Sequence, residues 1–263
     1  TIPRFACMTS FIDTHCHLDR LALTPKAAVE QAQDAGVRTV VTIAVDAESV
    51  DFVDGFTQAH PEVFGSLGVH PHDAKDYTES LGAEIQARVQ RNPKIRALGE
   101  MGLDYHYNFS EAEIQQTVFR KQLQSAEMLR LPVVLHTREA EQDTLRILEE
   151  HPVSRKGVAH SFTGSQEMAD ALLAMGWFIG INGIVTFKNA EALRKVVHSL
   201  PLDRLLLETD APYLTPVPFR GKPNSPAQVP VIAEFLAEDL GIPVAQLAAQ
   251  TSENARRLFA LPA

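Results

Sequence analysis

Cysteine is scarce: the 263 residues hold only Cys7 and Cys16, which do not form a Cys-x-x-Cys pair. A disulfide framework or a thiolate metal knuckle is therefore excluded as the organising device. Long apolar runs are missing too. Stretches such as 131–135 and 205–207 fall far short of the about 20 residues that span a bilayer, and no Arg- or Lys-led leader opens the chain. The expectation is a cytoplasmic protein without a membrane partner. No Pro/Gly/Ser-rich linker, low-complexity tract or block of like charge divides the sequence. One domain over 10–263 is expected, preceded by a short N-terminal extension at 1–9. Excess positive charge is absent, since the net charge is −9, which speaks against a long basic track along a nucleic-acid backbone. Bound divalent cations would reverse the local field, so an anionic substrate stays compatible with that balance. Neither Gly-x-Gly-x-x-Gly after the first strand nor a phosphate-binding Gly-x-x-x-x-Gly-Lys loop occurs, which removes the main support for a nucleotide cofactor.

What is present is a rhythm. Short apolar runs fall at 11–13, 39–44, 64–69, 95–98, 133–135, 157–159, 177–181 and 205–207, with helical periodicity between them, as at 25–35, 111–129, 140–150, 166–175 and 190–200. Thr24 before Pro25 and Ser110 before Glu111 read as helix starts, and Gly36 and Gly176 as helix stops. Eight strand–helix units predict an α/β fold, a TIM-type (β/α)8 barrel, with an open doubly wound sheet as competitor. Further C-terminal helices within 225–261 read as cover outside the barrel.

Polar residues gather where the strand candidates end. His15 and His17, two apart, project from one face of a strand, with Cys16 on the other. His70 follows the third run, Glu100 the fourth, His136 the fifth, His160 the sixth and Asp210 the eighth. Barrel enzymes assemble their sites at those ends. His15, His17, Glu100, His136, His160 and Asp210 together exceed what one catalytic ion uses. They suit two divalent ions, with Glu100 as the bridging carboxylate. Zinc or manganese fits imidazole and carboxylate donors better than magnesium, which remains possible with retained waters.

The motifs Asp13-Thr14-His15-Cys16-His17-Leu18-Asp19, Gly99-Glu100-Met101-Gly102-Leu103-Asp104-Tyr105, His136-Thr137-Arg138, His160-Ser161-Phe162-Thr163-Gly164 and Glu208-Thr209-Asp210-Ala211-Pro212-Tyr213-Leu214 closely resemble the TatD family of metal-dependent deoxyribonucleases. So does Arg220-Gly221-Lys222-Pro223-Asn224, and the likeness runs in order to Asn254-Ala255-Arg256-Arg257-Leu258-Phe259. The resemblance implies a TIM-type barrel, a divalent metal site carried by the six residues above, and hydrolysis of DNA phosphodiester bonds of exonuclease or abasic-site kind. Met101 and Ser225 stand where the family often has Ile and Glu, departures that bear on substrate preference rather than on the metal site.

With a metal-activated water as nucleophile, Asp210 is the residue expected to orient it or take its proton. Glu208, two positions earlier, either holds a ligand histidine in its tautomer or pairs with a buried cation. His70, Arg138 and Arg220, with Lys222, are expected to meet phosphate; His72 is expected to be structural. Tyr105 and Phe162 are open to base stacking or to plain packing. The expected partner is DNA, single-stranded or bound by an end, with no obligate protein partner. Competing readings are an amidohydrolase or lactonase, which often bridges its ions with a carboxylated Lys where Glu100 stands here, and a metal-binding scaffold without catalysis.

Overall fold

The computed structural model describes residues 10–262; the extension expected at 1–9, with Cys7, lies outside the described residues. Within them the strands β1 (Phe11–Cys16), β2 (Val37–Ile43), β3 (Val63–Leu67), β4 (Ile95–Asp104), β5 (Val133–Arg138), β6 (Gly157–Ala159), β7 (Phe178–Ile181) and β8 (Leu205–Leu207) pair in parallel in chain order. Helices α1 (Pro25–Asp34), α2 (Ala47–Ala59), α3 (Glu79–Arg91), α4 (Ala112–Leu129), α5 (Glu141–Glu150), α6 (Gln166–Ala174), α7 (Glu191–Ser199) and α8 (Val229–Leu240) follow the strands in turn, and α9 (Val244–Phe259) follows α8. This is the TIM-type barrel, not the open sheet. No described helix is long and apolar enough to cross a membrane.

Local chemistry explains most boundaries. Thr24 Oγ1 accepts the Ala27 N–H ahead of Pro25, and Gly36 and Gly176 take positive φ behind α1 and α6. Asp46 and Ser49 form a reciprocal capping box that starts α2, a helix whose β-branched residues and Gly55 blur its periodicity. Ser110 departs from expectation. Glu111 precedes α4 without a side-chain cap, while the Ser110 hydroxyl donates to the His72 carbonyl at 2.8 Å and ties down the segment after β3.

Two apolar layers hold the barrel. Outward strand residues such as Val40, Leu67, Leu103 and Leu135 pack against the helices. Inward residues near the strand starts, among them Ile12, Val41, Phe64, Val134 and Leu206, form a floor with Leu258 and Phe259 of α9. Helix α8 completes the outer ring, and α9 covers the floor.

Strict alternation would leave three functional residues facing the wrong way. Counting by twos from Ile12 carries Thr14 and Cys16 into the lumen, and counting from Ala97 carries Gly99 and Met101. Register slips against β2 between Asp13 and Cys16, and against β5 between Leu98 and Met101. Each slip is a bulge that changes phase, so Cys16 and Met101 join the outer core while His15, His17 and Glu100 face inward. Gly102 adjoins the second bulge at φ +145°, and a Cβ there would lie 1.9 Å from the His136 carbonyl oxygen.

Side chains sew β8 to β1. Asp13 accepts the Thr209 N–H at 3.0 Å, the Thr209 hydroxyl at 2.6 Å and the His15 N–H at 3.2 Å. Thr14 donates to the Leu207 carbonyl at 3.0 Å, and Asp210 N–H reaches the His15 carbonyl at 2.8 Å. Burial pushes the Asp13 carboxyl up to about 8 despite these donors.

Gly102→Ala is expected to cost about 3 kcal/mol or more, since the β5 backbone at His136 must move; a urea midpoint equal to wild type would contradict the contact. Because Asp13 titrates higher folded than unfolded, its stabilising protonated form is present at low pH and lost as pH rises toward 8. In metal-stripped protein, Asp13→Asn should therefore gain on wild type by at least about 1 kcal/mol between about pH 5 and about pH 9 in urea denaturation. A difference that does not change with pH would show Asp13 ionised throughout.

Candidate metal centre

Glu100 sits at the middle of the lumen and its two oxygens face two groups of donors. Toward Oε2 lie His15 Nε2 at 3.4 Å and His17 Nε2 at 3.9 Å, with Asp210 Oδ1 3.7 and 3.6 Å from the same two nitrogens. Toward Oε1 lie His160 Nε2 at 2.7 Å, His136 Nδ1 at 2.9 Å and His70 Nε2 at 3.4 Å. All six residues expected to bind metal thus meet in one place, brought there by β1, β4, β5, β6 and the segment after β8.

The spacing fits cations. His15 Nε2 and His17 Nε2 are 3.4 Å apart, and His136 Nδ1 and His160 Nε2 3.3 Å. Two nitrogens each 2.0–2.1 Å from a tetrahedral ion stand about 3.3 Å apart. The sets His15/His17/Asp210, His15/Glu100/His160 and His70/Glu100/His136 can each hold an ion by distance. Proton placement removes His70 from the ligands. His70 Nδ1 accepts the His72 N–H at 3.1 Å, which leaves the proton on Nε2, so that nitrogen enters the site as a donor.

Outer partners set the other tautomers. His17 Nδ1–H donates to the Ile43 carbonyl at 3.1 Å, freeing the Nε2 lone pair. His136 Nε2–H donates to Asp104 Oδ2 at 3.2 Å, freeing Nδ1. His160 Nδ1 makes no hydrogen bond and lies 3.6 Å from Glu208 Oε1, a carboxylate that accepts the Ser161 N–H at 2.5 Å. Glu208 is fully buried, and among the described residues it forms no ion pair with Lys or Arg, so its neighbour is the histidine.

Electrostatics follows from this crowding. Burial opposes the charged forms, yet the histidines hold the Glu100 carboxyl well below the usual range, and Glu100 in turn holds His160 well above its own. Burial also opposes ionisation of Asp210, but the imidazoles of His17, His15 and His160 around it keep it low. Burial takes His70 down to about 4, neutral at physiological pH and able to present N–H.

Asp104 is a functional residue that the sequence reading passed over. Its Oδ2 accepts from His136 and, at 2.8 Å, from His72 Nε2; its Oδ1 accepts the His106 and Tyr107 N–H groups at 2.9 and 3.1 Å. Those donors outweigh burial and hold it well below the usual carboxylate range. The signal was its place in β4, four residues past Glu100 and so on the same face.

The two rings left open between stacking and packing are both held by the fold. The Tyr105 hydroxyl is tied to Asp143 at 2.8 Å, and Phe162 is buried in the core. Arg138 lies over the Tyr107 ring at 4.8 Å. Arg220 stacks on Phe187 at 3.9 Å.

The family described as TatD related DNase matches residues 12–260. The chain belongs to that family. A metal-dependent hydrolase of Bacillus subtilis, YabD, is 39% identical over 250 residues, covering 94% of this chain and 98% of its own. YcfH of Escherichia coli, also named as a metal-dependent hydrolase, is 40% identical over 258 residues, 96% of each chain. The crystal structure of the TatD homologue YjjV from Escherichia coli superposes with a TM-score of 0.91 at 34% identity, over 96% of this chain and 98% of that one. This TatD protein is a metal-dependent hydrolase, and its His, Glu and Asp side chains form the groups that can hold the metal.

Asp104→Asn presents an NH2 to His136 and His72 where each now finds an acceptor. Metal affinity is expected to drop roughly 10–100-fold in a chelator-competition titration, with circular dichroism unchanged. Affinity equal to wild type would mean that Asp104 does not orient His136.

Proposed function

We propose that this TatD hydrolase is a deoxyribonuclease, cleaving phosphodiester bonds of single-stranded or frayed DNA with two divalent ions. The observation that carries the reading is the two-sided use of Glu100: His15, His17 and Asp210 gather toward one oxygen, His136 and His160 toward the other. A carboxylate so shared is what a pair of ions about 3.5–4 Å apart requires. When bound, such ions acidify water and neutralise charge on phosphate oxygens. The donor set favours zinc or manganese over magnesium.

The side chains divide the remaining work. Asp210 orients the attacking water or takes its proton. His70 Nε2–H donates to a phosphate oxygen near Glu100, and Arg138 at the rim offers the forked donor that phosphate accepts. Arg220, carried on an exposed loop after β8, adds charge to the mouth. Glu208 acts through His160, holding its ring in place. The acidic surface restricts contact to the few nucleotides beside the site.

Stripping metal and restoring zinc, manganese and magnesium one at a time, with an end-labelled single-stranded oligonucleotide as substrate, tests the reading. Cleavage should vanish on chelation and return with at least one ion. Asp210→Asn should lower kcat by about 100-fold or more without changing the fold. Turnover of lactones or cyclic amides with no DNA cleaved would overturn it, and near-normal rates in Asp210→Asn would overturn the role given to that residue.

A further inference from the structure

Exposed aromatic rings are few among the described residues, and their places are not scattered. Tyr107, Phe109 and Tyr213 are 50%, 58% and 49% exposed, and each leans on a histidine of the site: Tyr107 and Phe109 on His72, Tyr213 on His17. The first two form a unit. Their rings are parallel within 2° at 5.5 Å, and both meet the His72 ring edge-on at 89°.

That pair is anchored to the metal centre by hydrogen bonds. His72 is held by Asp104, the carboxylate that also holds His136, and the same carboxylate fixes the Tyr107 N–H. Past Phe109, the Ser110 hydroxyl donates to the His72 carbonyl. The loop carrying the rings is therefore in register with the donor cluster. Arg138 adds a guanidinium over Tyr107, and its strand carries His136 two residues earlier.

We propose that Tyr107 and Phe109 are a stacking platform for the unpaired nucleobase flanking the cleaved phosphate, with Arg138 holding a phosphate of that nucleotide. The assignment rests on the nuclease reading above and names the residues that would give it its strand preference. Flat rings in water, a cation beside them and a neighbouring phosphate-cleaving centre match what a single strand presents: a π face and a phosphate on each nucleotide. A base in a duplex keeps its faces against its neighbours and must leave the stack to reach such rings. The platform therefore selects single strands and frayed ends while reading no particular base.

The test uses metal-loaded enzyme and single-stranded oligonucleotides in which tetrahydrofuran replaces the base on either side of the cut. For wild type, removing the stacked base should raise KM roughly tenfold; the double variant Tyr107→Ala/Phe109→Ala should erase that difference, and Phe109→Trp should keep it. Independently, 2-aminopurine at that position should be quenched on binding to Asp210→Asn and remain bright when the two alanines are added. Cleavage of DNA with the same dependence on the flanking base in wild type and double variant overturns the platform and leaves the nuclease reading standing. No cleavage of any DNA by wild type with any ion removes both.

Discussion

The barrel turns on one buried carboxylate. Glu100 is 2% exposed, and a charge sealed from water costs several kcal/mol unless opposing groups and hydrogen bonds surround it. Here the opposing groups are imidazoles, supplied by β1, β5, β6 and the segment after β3. None is close to Glu100 in sequence. The compensation exists only when those pieces are assembled around the lumen, so the charge and the closed barrel depend on each other. The same crowding of ring nitrogens and carboxylate oxygens is what makes the lumen a cation site.

Two departures from regular strand geometry make that assembly possible. The bulges in β1 and β4 change phase once each, which lets a chain that buries Ile12 and Ala97 in the floor turn His15, His17 and Glu100 inward above it. The β1–β8 seam is a third irregularity, where Asp13 and Thr14 side chains stand in for a ladder of backbone bonds. It sets Asp210 opposite His15 and His17. The irregular pairing at the seam and in the two bulged strands thus lies next to the donors, as bulges at functional sites commonly do.

Under the proposed deoxyribonuclease reading, an acidic hydrolase meets an anionic substrate and must reverse its own field over a short distance. Cations held in the lumen would do this, and at the rim the N–H of His70 and the guanidinium of Arg138. Asp104 joins the two levels, since its oxygens reach His136 on one side and the loop bearing Tyr107 on the other. Under that reading, chemistry and substrate placement share one carboxylate. Strand β4 continues past Glu100 to Asp104 by pairing with β5 as far as Arg138.

The linear pattern was enough for the eight-unit barrel, because apolar runs and helical periods report burial directly, and enough to pick six residues that the fold brings together, because barrel sites lie at strand ends. It reached Glu208 by the two-residue period from Asp210, but left open whether the partner was a histidine or a cation. What it missed was decided by packing. A bulge has no sequence signature of its own, so the phase changes at Asp13–Cys16 and Leu98–Met101 were invisible. Tyr105 and Tyr107 are two apart, and only the Asp143 hydrogen bond that fixes one and the solvent that meets the other tells them apart. The proton on His70 Nε2 follows from a backbone N–H two residues on, a contact that exists only once the turn after β3 has formed. Residue types and spacings thus determined which chemistry this chain can carry. Tertiary structure alone decided which atom of each side chain faces the site, because orientation is set by neighbours distant in sequence.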